Sequence, residues 1–167
     1  MIQVDRDQPS RGERTALEEI ERSIMQISWL AQRQFMQLLD EERFRLTLPQ
    51  FYTLLYLEQS GESCKMSDLA DGTHQSAASL TGVVDRLRDK QLIDRLRDDR
   101  DRRQVIVTLT PQGRELMSEI KQARREQMHM ALAHLADPEV GALMLLLDRV
   151  LAGMARALER AENGRLA

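Results

Sequence analysis

Between Leu92 and Leu109 the hydrophobic period of this chain drops to two residues, and at Thr110-Pro111 it returns to the 3.6 of a helix. Leu92–Arg97 and Gln104–Leu109, the latter with Val105, Ile106 and Val107, flank the polar stretch Asp98–Arg103. Two β-branched or apolar runs around a charged loop predict a β-hairpin with a charged tip. The rest of the apolar pattern steps by three and four. With only 6 aromatic residues in 167 and 12 glycines and prolines, the chain lacks the turns and strand-forming side chains of a sandwich or barrel. The expected fold is therefore mainly α with one small hairpin.

The helical stretches have legible ends. From Thr15 to Leu39 apolar residues fall at Leu17, Ile20, Ile24, Ile27, Ala31 and Leu38, with Trp29 and Phe35 beside the stripe, which predicts a long amphipathic helix. Thr47 is placed to cap a second helix, with Gln50 three residues on to close a capping box, and Ser60-Gly61-Glu62-Ser63 ends it. Two short helices follow, Asp68–Asp71 capped by Ser67 and Ala77–Lys90 capped by Ser76, with Gly72-Thr73-His74-Gln75 turning between them. Thr110-Pro111 starts a helix to about Leu135. Asp137-Pro138 opens a last one, with Val140, Leu143, Leu147, Val150, Leu151, Met154 and Leu158 along one face.

Net charge is −3, yet Arg86 to Arg103 holds eight bases against five acids, so this stretch is +3 and the remainder −6. A locally basic module in an acidic chain fits a polyanion bound at one place. The longest run without a formal charge, Gly72 to Val84, is thirteen residues and too polar and short to cross a bilayer. The N-terminus carries acids and no apolar core, unlike a secretory signal, and the single Cys64 calls for no oxidising compartment. The expectation is a cytoplasmic protein with no membrane partner.

The stretch Leu69 to Leu87 meets the physical needs of a helix-turn-helix. Leu69 and the small Ala70 let the second helix cross close over the first, and Leu80, Val83, Val84 and Leu87 give the second helix a buried face. Its other face presents Gln75, Ser76, Ala78, Ser79, Gly82 and Arg86, small or polar groups with no acid among them, suited to a major groove. A basic hairpin directly afterwards makes a wing, whose tip arginines Arg100, Arg102 and Arg103 can enter the adjacent minor groove.

With those residues in view, Leu46 to Leu151 resembles the MarR family of bacterial winged helix-turn-helix transcription regulators. The resemblance rests on Leu46-Thr47-Leu48-Pro49-Gln50-Phe51, Leu69-Ala70, Val83-Val84-Asp85-Arg86-Leu87, Asp101-Arg102-Arg103, Val107-Thr108-Leu109-Thr110-Pro111-Gln112-Gly113 and Leu146-Leu147-Asp148-Arg149-Val150-Leu151. It implies a homodimer joined through its first, fifth and sixth helices, with two winged modules reading a pseudo-palindromic operator on double-stranded DNA. It also implies that Ser79 contacts DNA and that Arg103 is the minor-groove wing residue, steadied by Asp101. The sequence departs from the family at His74, where Gly is frequent, at Ala77, where Pro is frequent, and at Gly82, where a long basic residue is frequent. The organisation expected is a flexible tail at 1–14, a dimerisation helix at 15–45, a winged helix-turn-helix module at 46–110, dimerisation helices at 111–160 and a tail at 161–167.

Other chemistries fit less well. Peroxide-sensing members of the family carry their cysteine near the start of the first long helix, and none stands there. Lys65 beside Cys64 can lower its pKa a little, as a redox switch needs, yet an inert thiol is the leading reading. His129 and His134, five apart, point off a shared helix face, and Glu126 with His129 lacks a second ligand pair, so no metal site is expected. With no phosphate loop, metalloprotease motif or nucleophile–base set, no catalytic residue and no cofactor is expected, and the chain reads as no enzyme. Trp29, Arg33, Phe44, Tyr52 and Tyr56 are the aromatics with a nearby cation, a composition that suits a small aromatic or carboxylate effector, although aromatics at helical spacing are more often core. The leading expectation is a repressor of pseudo-palindromic operators, relieved by a small ligand. The rival from another class is a dimeric helical interaction protein whose basic wing docks an acidic protein partner.

Overall fold

The computed structural model describes residues 11–97 and 104–163. In chain order these form α1 (Arg11–Asp40), α2 (Leu48–Gln59), β1 (Ser63–Lys65), α3 (Met66–Gly72), α4 (Ala77–Asp89), β2 (Ile93–Arg97), β3 (Val105–Leu109), α5 (Pro111–Leu132) and α6 (Asp137–Asn163). The architecture is mainly helical with one small antiparallel sheet, as the periodicities require.

Several ends are set by the side chains named for them. Thr47 and Gln50 close a capping box: the Gln50 N–H donates to Thr47 Oγ1 (3.5 Å) and the Thr47 N–H to Gln50 Oε1 (3.0 Å). The Ser79 N–H donates to Ser76 Oγ (3.2 Å), and the Gly113 N–H to Thr110 Oγ1 (3.0 Å), satisfying donors that the first turns of α4 and α5 leave open. Ser67 does not cap α3. That helix starts at Met66 after Lys65, and the Ser67 hydroxyl donates to the neighbouring Asp68 carboxylate (3.1 Å) instead.

The sheet has three strands, in the order β1-β3-β2. The hairpin pairs Ile93 with Leu109, Arg95 with Val107 and Arg97 with Val105. The unexpected strand is β1, which the sequence reading leaves in the turn after α2. It adds Cys64 opposite Val107 on the far edge of β3, with Ser63 Oγ and Thr108 Oγ1 3.2 Å apart. Three residues with no alternation give no period to read.

The chain divides into two compact units, 1–123 and 124–167. In the first, one core gathers Leu38 and Leu39 of α1, Leu54 and Leu57 of α2, Leu69, the four apolar residues of α4, Ile93, Val107 and Leu109 of the sheet, and Met117, Ile120 and Ala123 of α5. The opening turns of α5 therefore pack into the same unit as the helix-turn-helix and the hairpin. Among the described residues α1 already runs at Arg11 and α6 still runs at Asn163, positions within the segments expected as tails.

The second unit holds the end of α5 and all of α6. Helix α5 stops at Leu132 rather than Leu135, where the N–H groups of Ala133 and Leu135 bond three residues back, to Met130 O and Leu132 O, instead of four. The Ala136 N–H donates to the Glu139 carboxylate (2.8 Å) at the start of α6. Along α6, Met144, Leu147, Val150, Leu151, Met154 and Leu158 all remain exposed.

Candidate nucleic-acid interface

The helix-turn-helix is α3, the turn at residues 73–76, and α4. Leu69, Leu80, Val84 and Leu87 are wholly buried and Val83 nearly so, which fixes the rotation of α4 about its axis. The turn is held from within: the Thr73 N–H and hydroxyl both donate to Leu69 O (3.1 and 2.6 Å), and the Gln75 N–H to Ala70 O (3.0 Å). His74 sits in the left-handed region at φ 52°, where a side chain is strained. Gly72 lies against Tyr56 so closely that a Cβ there would stand 1.9 Å from the ring, so any larger residue requires the tyrosine to move.

With the apolar side of α4 buried, Ser76, Ser79 and Arg86 face solvent. The Arg86 guanidinium reaches back along the helix to within 3.6 Å of where a Cβ on Gly82 would be, an ordinary van der Waals contact. Gln75 is placed otherwise than expected. Its side chain turns inward and donates from Nε2 to Oγ1 of the fully buried Thr53 (3.2 Å), which itself donates to Pro49 O (2.8 Å). The amide thereby braces the turn against α2 and does not point to a groove.

The expectation of an acid-free outward face also needs correction at Asp85. This carboxylate, half-buried on α4, accepts from Arg95 Nη1 on β2 at 3.4 Å and lies 3.7 Å from Arg88 on its own helix. Its charge is held by two arginines. Sequence reasoning treats Asp85 only as a motif residue, and the strand register that brings Arg95 beside it is not readable along the helix. At the other end of α4, Lys90 Nζ donates to Arg45 O at the corner between α1 and α2. Burial, with the Arg45 charge adding to it, lowers the Lys90 pKa from its usual value.

Strands β2 and β3 are those expected to carry the wing. Its tip residues, Arg100, Asp101, Arg102 and Arg103, lie outside the described residues.

The five residues considered for an effector are spread out. Phe44 is buried in the core with the Arg43 guanidinium over its ring (4.5 Å), and Tyr56 packs under Gly72. Trp29 is exposed on α1 with Arg33 5.2 Å above its ring, and Tyr52 is exposed with its ring edge-on to Phe51. A groove of about 440 Å³ lies at the end of α1, lined by Met36, Gln37, Leu39, Asp40, Leu46, Thr47 and Leu48, and none of the five lines it.

Cys64 is half-buried on β1, and burial pushes its thiol pKa up, with the Asp68 carboxylate acting in the same direction. The shift runs opposite to the lowering expected from Lys65. Among the described residues no three of His, Cys, Asp and Glu gather as metal ligands, and no single helix is long and apolar enough to cross a membrane.

Comparison with known proteins matches this geometry. Residues 46–104 match the model of the MarR family. The HTH-type transcriptional repressor NicR of Pseudomonas putida is 32% identical over 107 residues, covering 64% of this chain and 67% of that protein. The HTH-type transcriptional repressor MdtR of Bacillus subtilis is 30% identical over 122 residues, 73% of this chain and 76% of its own. Among solved structures, the YusO protein of Bacillus subtilis superposes with a TM-score of 0.71 at 26% identity, covering 86% of this chain and 96% of that one.

Proposed function

This chain belongs to the MarR family of DNA-binding transcriptional regulators, and from that premise we propose that it is a cytoplasmic homodimeric repressor that reads a pseudo-palindromic operator and releases it on binding a small ligand. Members of the family act by binding DNA and not by catalysis. The observation that carries the reading is the rotation of α4. Four buried apolar residues turn Ser76, Ser79 and Arg86 outward together, on a helix flanked by the strands of a basic hairpin.

In this reading Ser79 hydrogen-bonds a base edge in the major groove, and Ser76 and Arg86 hold phosphates beside it. Arg100, Arg102 and Arg103 approach the minor groove from the wing tip, with Asp101 aiming Arg103. Gln75, bonded to Thr53, supports the turn rather than contacting DNA. Dimerisation is supported by apolar surface that each unit leaves in water. Leu17, Ile20, Ile24 and Ile27 are exposed on α1, and the stripe from Met144 to Leu158 is exposed on α6. Patches of this kind mark association surfaces. Two relatives named as repressors support repression. Relief by an aromatic or carboxylate ligand is supported by the exposed Trp29 with Arg33 over its ring, which offers a stacking face and a cation together.

The test is a pair of variants measured on one operator across a salt series. Arg103→Ala should lower affinity, make the salt slope shallower by about one unit and weaken preference at the A·T-sensitive flanks of each half-site. Ser79→Ala should relax preference at central positions and leave the salt slope nearly unchanged. An Arg103→Ala protein that binds like wild type at every salt concentration removes Arg103 from the wing contact and leaves Arg100 or Arg102 in its place.

A further inference from the structure

We propose that Asp85 is a positioning residue for DNA binding: through Arg95 it sets the recognition helix α4 against the wing strand β2. This rests on the reading of α4 and the hairpin as DNA readers.

The position is unusual on elementary electrostatics. A carboxylate on the outward part of a DNA-reading helix repels phosphates and weakens binding unless it does something else. Asp85 sits midway along α4, between Gly82 and Arg86 on one side and Arg88 on the other. It accepts from Arg95 Nη1 at 3.4 Å and holds Arg88 at 3.7 Å, so one carboxylate gathers a guanidinium from each of the two elements. Arg95 stands opposite Val107, which is fully buried, so its strand is fixed in the sheet and its side chain lies on the core-facing side. That leaves it partly shielded and able to reach α4. Two residues further along the same strand, Arg97 is exposed next to the wing tip.

A guanidinium held this way presents its remaining N–H groups in a fixed direction, because the fork is planar and rigid. Without Asp85, Arg95 and Arg88 lie at close quarters with no shared counter-charge. Arg88 keeps Asp89 at 3.9 Å, but Arg95 is then free to take other rotamers, and the angle between helix and wing is no longer tied by an ion pair. Both readers must engage one duplex at once, so loss of their relative aim costs affinity even with every DNA-contacting group intact.

The sign of one measurement decides between this and the alternative that Asp85 is a bystander charge. Asp85→Asn removes a negative charge, so a bystander's neutralisation tightens operator binding. A positioning role predicts the opposite, a loss of about tenfold at fixed salt. Circular dichroism and the melting temperature should stay close to wild type, because a pair this exposed contributes little to stability. In the Arg95→Gln background the same Asp85→Asn change should weaken binding no further, since the group it acts through is gone. Asp85→Glu should recover part of the loss, and the exchange Asp85→Arg with Arg95→Asp should bind better than either single reversal.

Asp85→Asn binding as tightly as wild type or tighter, or an equal loss with and without Arg95, overturns the proposal. A wild-type protein that shows no preference among duplexes overturns the DNA reading on which it rests, and is seen before any variant is made.

Discussion

Among the described residues His74 is one of four non-glycine residues held at positive φ, with Arg45, Glu62 and Gln91, and the one that sits in the helix-turn-helix. The turn between α3 and α4 needs one residue at φ 52°, a conformation that glycine adopts freely and that costs other L-residues about 1–2 kcal/mol. Nothing in the turn compensates the imidazole, which is exposed with its backbone N–H bonded to Asp71 O. His74→Gly should therefore raise stability by about 0.5–1 kcal/mol, the relief of strain less the extra freedom glycine gives the unfolded chain. A denaturant midpoint moving upward with an unchanged slope checks this; a lower midpoint shows that the histidine makes a contact worth more than the strain. The sequence marks His74 as odd and gives no reason. Gln75 and Asp85 show the limit of reading residues along one helix. Both look outward by position, yet Thr53 from α2 draws one inward and Arg95 from β2 claims the other. Those partners are 22 and 10 residues away in sequence, and only the fold brings them together. Cys64 is similar. Its neighbour Lys65 predicts a lowered pKa, but burial beside β3 dominates and raises it, so the neutral thiol is favoured below and around its usual titration range and the side chain stays a poor nucleophile.

Among the elements, the junction of sheet and α5 carries the most specific packing. Thr110 caps α5 through Gly113 N–H and also donates its hydroxyl to Gln91 O (2.8 Å), while the Thr110 N–H donates to Leu92 O (3.1 Å). Gly113 then lies against the same backbone: a Cβ there would stand 2.2 Å from Leu92 O. This is a physical reason for the spacing Leu109-Thr110-Pro111-Gln112-Gly113. Threonine and proline start the helix, and glycine lets its first turn press against the residue that leads into β2. Gly113→Ala should cost about 1–3 kcal/mol, because the clash is with main chain and cannot be relieved by a rotamer change. Thermal unfolding reads it, and a melting temperature within a degree of wild type would mean the helix can lift without loss. Long elements with a strong period were legible in the sequence: α1, the faces of α4 and α6, and both strands of the hairpin. What was not legible was short or depended on distant partners. Strand β1 has three residues and exists because β3 offers it an edge, and α3 is stabilised by burying Leu69 rather than by a Ser67 cap.

At the scale of the molecule, the two units differ in how they treat apolar side chains. The first buries a full core, from Leu38 to Ala123, and still leaves Leu17 at 59% and Ile27 at 65% exposure on α1. The second leaves Met144, Leu147, Leu151 and Leu158 at 50% or more. Surface of that extent is costly in water at about 25 cal/mol per Å², and a second copy of the chain is the partner the proposed function supplies. Two copies related by a two-fold axis present two recognition helices in opposite senses, so the DNA must mirror that symmetry. Sequence symmetry in the bound DNA is thus what a dimeric reader demands, and selection from a pool of random duplexes reveals it. The expected result is enrichment of an inverted repeat whose half-sites are centred one helical turn, about 10 base pairs, apart. A pool that emerges with no enriched motif, bound through salt-dependent contacts alone, would contradict it and favour a basic wing that docks on an acidic protein surface.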